Sequence, residues 1–233
     1  MFKKLFFAIL DALLLLFMKI KKIACKVALI FLALFAIFLV ILSNTLGVSD
    51  DSKDYVLLII PIFVLVYFVS LKIRPLIKRS RLPLFLKFLF SGLLFGFFTE
   101  YLVLKGGHGY LSPDLFTDFI LIAGLYIGIP IVWYFLLKKY QFNLKEVFVL
   151  SGIFGVFAEQ DFAVLLTFNP LAYLYVFLVY GSLITIPFIL NRDSFEFLKR
   201  KNNKRKYFVA FFSQFLAYLF GFMWAAIMTI FIS

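Results

Sequence analysis

Seven long apolar runs, separated by short polar stretches, fill the chain from residue 27 onward. They cover roughly 27–43, 55–71, 83–104, 113–137, 144–167, 170–190 and 207–231. A helix that crosses a bilayer needs about 20 predominantly apolar residues, and a run of that length belongs in lipid. The pattern predicts an all-α fold: a polytopic helical membrane bundle of about seven transmembrane helices, forming one domain over 27–233. Residues 1–26 form a cytoplasmic N-terminal segment. Within it, "FKKLFFAILDALLLLFM" (2–18) is short for a span, carries Asp11 and has lysines at both ends. It reads as a helix lying in the membrane interface. An uncleaved signal-like start is the alternative. If this run spans, the count rises to eight.

The polar stretches between the runs alternate in charge. Lys3, Lys4, Lys19, Lys21, Lys22 and Lys26 precede the first run, and the next stretch holds Asp50, Asp51 and Asp54 against Lys53. Lys72, Arg74, Lys78, Arg79 and Arg81 follow, then a loop with only Lys105 and Asp114. Lys138, Lys139 and Lys145 come next, then an uncharged stretch from Asp161 to Arg192. The last loop carries seven cations, from Arg192 to Lys206, against Asp193 and Glu196. Basic loops face the cytoplasm. The alternation therefore predicts a cytoplasmic N-terminus, an external C-terminus at Ser233 and residence in the plasma membrane.

Composition agrees with the pattern. The chain of 233 residues is 64% hydrophobic, with a mean hydropathy of +1.06. A soluble domain needs far more polar surface. A net charge of +12 would suggest nucleic acid, but its confinement to alternate loops makes it a topology signal. The partners expected are the lipid bilayer and a small solute or cation, with no nucleic acid. Cys25 is the one cysteine, so no intrachain disulfide forms. With a single histidine besides, neither a metal site nor a cofactor is expected.

Local signals mark some helix ends. Ser112 before Pro113 fits an N-cap with proline at the first helical position, and Asn169 before Pro170 repeats it. Asn143 with Glu146 fits a capping box. These signals belong to a longer correspondence. Shifted by 57 residues, Pro113, Gly124, Ile127, Ile129 and Pro130 fall on Pro170, Gly181, Ile184, Ile186 and Pro187. Shifted by 59, Phe95, Gly96, Phe98 and Glu100 fall on Phe154, Gly155, Phe157 and Glu159, and Gly92 on Ser151. Ungapped agreement of glycine, proline and glutamate predicts two two-helix repeats, 83–137 and 144–190, followed by a final helix over 207–231. An even number of spans per copy makes the repeats parallel, unlike the inverted repeats of many transporters.

Gly92, Gly96 and Glu100 recur every four residues, as do Ser151, Gly155 and Glu159. At helical pitch each set lies on one face. Small residues at that spacing let membrane helices approach closely. Ala217, Gly221 and Ala225 form a similar face in the last run. Each glutamate thus continues a packing stripe into the bundle, where a charge costs about 2.5–3.5 kcal/mol. Pro130 and Pro187, inside their runs, are expected kinks. Asp161, Gln160 and His108 gather at the same outer level as the two glutamates. Asp114 and Asp118 sit where a helix N-terminus favours negative charge. Lys87 is placed to snorkel to the cytoplasmic face.

No GxxxxGK[ST], HExxH or GxSxG motif occurs. Glu100 and Glu159 are the leading candidates to bind an ion or ligand, with Asp161, Gln160 and His108 around them. Three functions fit: a small cation- or proton-linked permease, a membrane enzyme on a lipid-like substrate at the outer leaflet, or a non-catalytic assembly protein whose glutamates lock helices together.

Overall fold

The computed structural model describes residues 23–42, 45, 55–107, 111–159, 170–196, 198 and 200–232, apart from the side chain of Glu159. Seven helices occur among them. They are α1 (Ile23–Leu42), α2 (Ile59–Arg79, entered through a 3-10 turn at Tyr55–Leu58), α3 (Leu84–Lys105), α4 (Leu115–Lys139), α5 (Leu144–Glu159), α6 (Pro170–Phe195) and α7 (Arg205–Ile232). Six are long and apolar enough to cross a membrane. The described part of α5 has 16 residues. The chain is an all-α polytopic membrane protein. The expected interfacial helix at 2–18 lies outside the described residues.

Two expectations about helix ends change. The stretch holding Lys72, Arg74, Lys78 and Arg79 is not a loop, because α2 continues through Arg79. Lysine and arginine are good helix formers, and cations are favoured in a last turn by the helix dipole. Lys87 reaches back to that end, its ammonium donating to the carbonyls of Ser80 (3.0 Å) and Lys78 (3.4 Å). Nor is Ser112 the cap of α4. Asp114 is, its carboxylate accepting from the backbone N–H of Thr117 at 2.9 Å. The Asn143–Glu146 capping box forms as expected, with reciprocal bonds of 2.9 and 2.7 Å.

α6 is the hub. It packs against α2, α3 and α5, and 56% of its most apolar window is buried, against 11% for α7. One apolar cluster joins α1, α2 and α6 through Ala36, Ile60, Phe63 and Ile186. The other joins α3 to α7 through Phe88, Trp133, Phe154, Phe188 and Ala217. Lipid tails are as apolar as leucine, so burying oil gives these helices little reason to associate. Close approach at small residues supplies it. A Cβ on Gly221 would lie 3.2 Å from Leu125 Cα, and one on Gly128 3.0 Å from the Ala217 carbonyl. The Ala217–Gly221 face of α7 therefore packs on α4. Trp224 adds an indole N–H bond to the Ile120 carbonyl at 2.7 Å, and Trp133 one to Gln214 Oε1 at 3.1 Å.

The basic connections share one end of the bundle. The α4–α5 and α6–α7 connections pair, Gln141 N–H donating to Lys201 O (2.9 Å) and Lys201 N–H to Lys139 O (3.0 Å). Arg74 of α2 bonds Asp193 of α6 at 3.3 Å and Ser70 at 2.9 Å. The opposite end carries the α3–α4 turn. There Gly107, at φ 86°, takes the left-handed conformation that glycine adopts without a Cβ penalty just past a helix end.

Candidate functional site

The small-residue stripe of α3 faces α4. A Cβ on Gly92 would overlap Pro130, and one on Gly96 would overlap the ring of Tyr126. Antiparallel pairing at this separation carries the next residue of the stripe, Glu100, to the Tyr126 hydroxyl. The hydroxyl donates to Glu100 Oε1 at 2.5 Å, at the short limit for a bond to a carboxylate. Glu100 is 1% exposed. Pro130 lies four residues beyond Tyr126 and has no N–H to give the Tyr126 carbonyl, so the helix is altered where it presents this tyrosine.

Beside them lies a cavity of about 720 Å³ bounded by α3, α4, α6 and α7. It runs from Gly106, Gly107 and Leu111 at the α3–α4 turn to Phe88, Trp133 and Pro187 deep in the bundle. Glu100 and Thr99 are on its wall, together with the tyrosines 126, 175, 180 and 218. Most of the remaining wall is aliphatic. The cavity lies within the usual size range of small-molecule sites, which are largely apolar with a few placed polar groups.

The structure thus gathers Glu100, Gly92, Pro130 and Pro187 around one space. Ser151 and Gly155 of α5 are buried elsewhere. Gly155 packs on Tyr180, whose own ring borders the cavity. Glu159 ends the described part of α5. Its side chain lies outside the described residues, and so do Gln160, Asp161 and His108. Asp118 has a local task. Its Oδ1 accepts from the N–H groups of Leu111 (2.7 Å) and Ser112 (3.0 Å), closing the turn at the cavity's end.

Tyr126, Trp133 and the three other tyrosines are site residues that the sequence pattern did not single out. A signal existed for Tyr126, since it precedes the intrahelical Pro130 by four and so shares its face. Tyr175, Tyr180 and Tyr218 had none, because their placement depends on which helices α6 and α7 meet.

A second, polar cavity of about 360 Å³ lies at the basic end. Aromatic side chains separate the two. Trp133, on the wall of the large cavity, meets Phe142, on the wall of the small one, edge to face at 5.5 Å. Among the described residues, no group of three or more His, Cys, Asp or Glu is placed to hold a metal ion. Compared with known protein families, with characterised proteins and with solved structures, the chain matches none.

Proposed function

We propose that this membrane protein is a small permease whose cavity takes an amphipathic cation, with Glu100 as the counter-charge. The observation that carries this reading is the cavity of about 720 Å³, largely apolar and tyrosine-lined, with Glu100 on its wall. A carboxylate is the group that pairs a cationic head, and tyrosine faces add cation–π attraction in a dry setting. An apolar body fills the rest of the wall. A bare metal cation fits less well, because calcium takes 6–8 oxygen ligands.

Several observations support transport over storage. The aromatic contact between Trp133 and Phe142 stands between the large cavity and the basic-end cavity, as a closed inner barrier would. By the positive-inside rule the basic end is cytoplasmic, and the α3–α4 turn at the far end of the large cavity faces outside in a plasma-membrane protein. Glu159, Asp161, Gln160 and His108 are proposed to border the outer entrance. We read 83–137 and 144–190 as parallel repeats, each closing its hairpin at glycine: Gly92 and Gly96 on Pro130 and Tyr126, Gly152 and Gly155 on Phe177 and Tyr180. The second hairpin is offset by a turn, since a strict copy would set Gly155 on Leu183.

The test is uptake of tetraphenylphosphonium into proteoliposomes, with the purified full chain. Uptake should be saturable and should fall at least tenfold in Glu100→Gln. Unchanged uptake in that variant sinks the mechanism. If Glu100→Gln instead lowers the melting temperature and the wild type moves no probe, the helix-locking role replaces it.

A further inference from the structure

The basic-end cavity is built from the paired α4–α5 and α6–α7 connections. Five charged side chains border it: Arg192, Arg200, Lys206, Glu146 and Glu196. Their engagements differ. Lys206 is buried, and its ammonium donates to Gln141 O (2.6 Å), Glu146 Oε1 (2.8 Å) and Asn202 Oδ1 (3.2 Å). Three bonds use all three ammonium protons. Glu146 is held in addition by the Tyr207 hydroxyl at 2.6 Å and by Asn143 N–H at 2.7 Å. Lys206 and Glu146 are therefore wall.

The two arginines are not so occupied. Arg192 Nε stands 3.6 Å from Glu196 Oε1, with both side chains about half exposed. A pair of that kind contributes little. Arg200 makes no ion pair among the described residues. Burial holds its guanidinium below the ordinary value; Glu196 acts upward and Arg192 downward. Both guanidiniums border the one polar cavity. An anion there meets two guanidiniums, and the planar guanidinium fork suits phosphate oxygens two at a time.

We propose that the basic-end cavity binds a phosphate group between Arg192 and Arg200. Two sources present that chemistry at this level of the membrane: the headgroup of an anionic lipid, and free phosphate in the adjoining water. Basic sites between transmembrane helices on the cytoplasmic side bind anionic headgroups. The site is separate from the Glu100 cavity and does not depend on its ligand.

The full chain is placed in nanodiscs of phosphatidylcholine alone, or with phosphatidylglycerol, and melted with and without inorganic phosphate. Stabilisation by phosphatidylglycerol alone identifies the headgroup; stabilisation by inorganic phosphate in phosphatidylcholine identifies the free anion. Either effect should weaken at least tenfold in apparent affinity in Arg192→Gln/Arg200→Gln. It should persist in Lys138→Gln/Lys139→Gln, which removes the same charge from the same end outside the cavity. Arg200→Lys keeps the charge and loses the fork, and should weaken binding severalfold even if the double variant does not fold. No response to either source overturns the proposal. So does equal loss in the lysine pair, or an undiminished response in Arg200→Lys.

Discussion

Replacing Tyr126 by phenylalanine removes one oxygen and leaves the ring that fills the space beside Gly96. The effect should come almost wholly from the bond to Glu100. Two magnitudes compete. A hydrogen bond to a charged group contributes about 1.5–3 kcal/mol in soluble proteins. Interhelical bonds in membranes average about 0.6 and reach about 1.7 kcal/mol. The 1% exposure of Glu100 places this bond at the upper end of the membrane range, so Tyr126→Phe should cost about 1.5 kcal/mol. Glu100→Leu has similar bulk and no acceptor. When both partners are replaced by apolar groups the result is close to neutral, so Tyr126→Phe/Glu100→Leu should recover most of the loss. The assay is reversible unfolding in mixed micelles, read as a double-mutant cycle. The expected coupling is about 1.5 kcal/mol, roughly a tenfold change in the folding equilibrium. Additivity within about 0.3 kcal/mol would refute the bond as a tie between α3 and α4.

Three further outcomes follow from the geometry. Gly96→Ala puts a methyl group into the Tyr126 ring; overpacking of this kind costs about 1–3 kcal/mol, which thermal unfolding in mixed micelles will show. Lys206→Met removes three bonds from a buried ammonium and takes the counter-charge from Glu146, so unfolding should ease by about 3 kcal/mol, the lower end for a broken buried pair, and Glu146→Gln added to it should restore part of the loss. Asp114 has its carboxyl held below 3.8 by the backbone N–H and then the hydroxyl of Thr117. Its folded value is the lower one, so its contribution is complete above pH 3.8 and is lost as pH falls through the folded value. The melting-temperature gap between wild type and Asp114→Ala should therefore be constant at neutral pH and close under acid.

Local signals were legible where neighbours in sequence settle the outcome. The all-α membrane class follows from run length, because backbone in lipid must bond to itself; the count does not, since six of the described helices, not the expected seven, are long and apolar enough to cross. The Asn143–Glu146 box is four residues long and forms as its letters suggest. Ser112 failed as a cap for a reason just beyond that range: Asp118 binds the Leu111 and Ser112 N–H groups, which leaves Asp114 to begin the helix. The cavity as a space was not legible, although Gly92, Glu100, Pro130 and Pro187, each marked by the sequence pattern, border it. In a soluble protein the apolar face points inward and betrays the core. Here lipid and interior are both apolar, so Tyr175 on the cavity and Leu174 facing outward carry no contrasting pattern around them.

The stripe on α3 shows why a packing signal and a site signal became one. Glycine at 92 and 96 lets α4 approach until Pro130 and Tyr126 lie against the α3 backbone. That approach fixes the register, and the register sets the Tyr126 hydroxyl on Glu100. A lock and a ligand group would both be written as Gly–xxx–Gly–xxx–Glu, so spacing alone could not separate them. The cavity wall favours the ligand group. A carboxylate serving only as a lock needs Tyr126 and no empty space, whereas Glu100 borders a volume large enough for an organic molecule. The separation is measurable in one pair of variants. Tyr126→Phe should loosen the helices and leave the carboxylate available to a cation, while Glu100→Gln should keep an acceptor for the hydroxyl and remove the charge. Uptake that survives the first and fails in the second assigns Glu100 to the ligand. The reverse order assigns it to the fold.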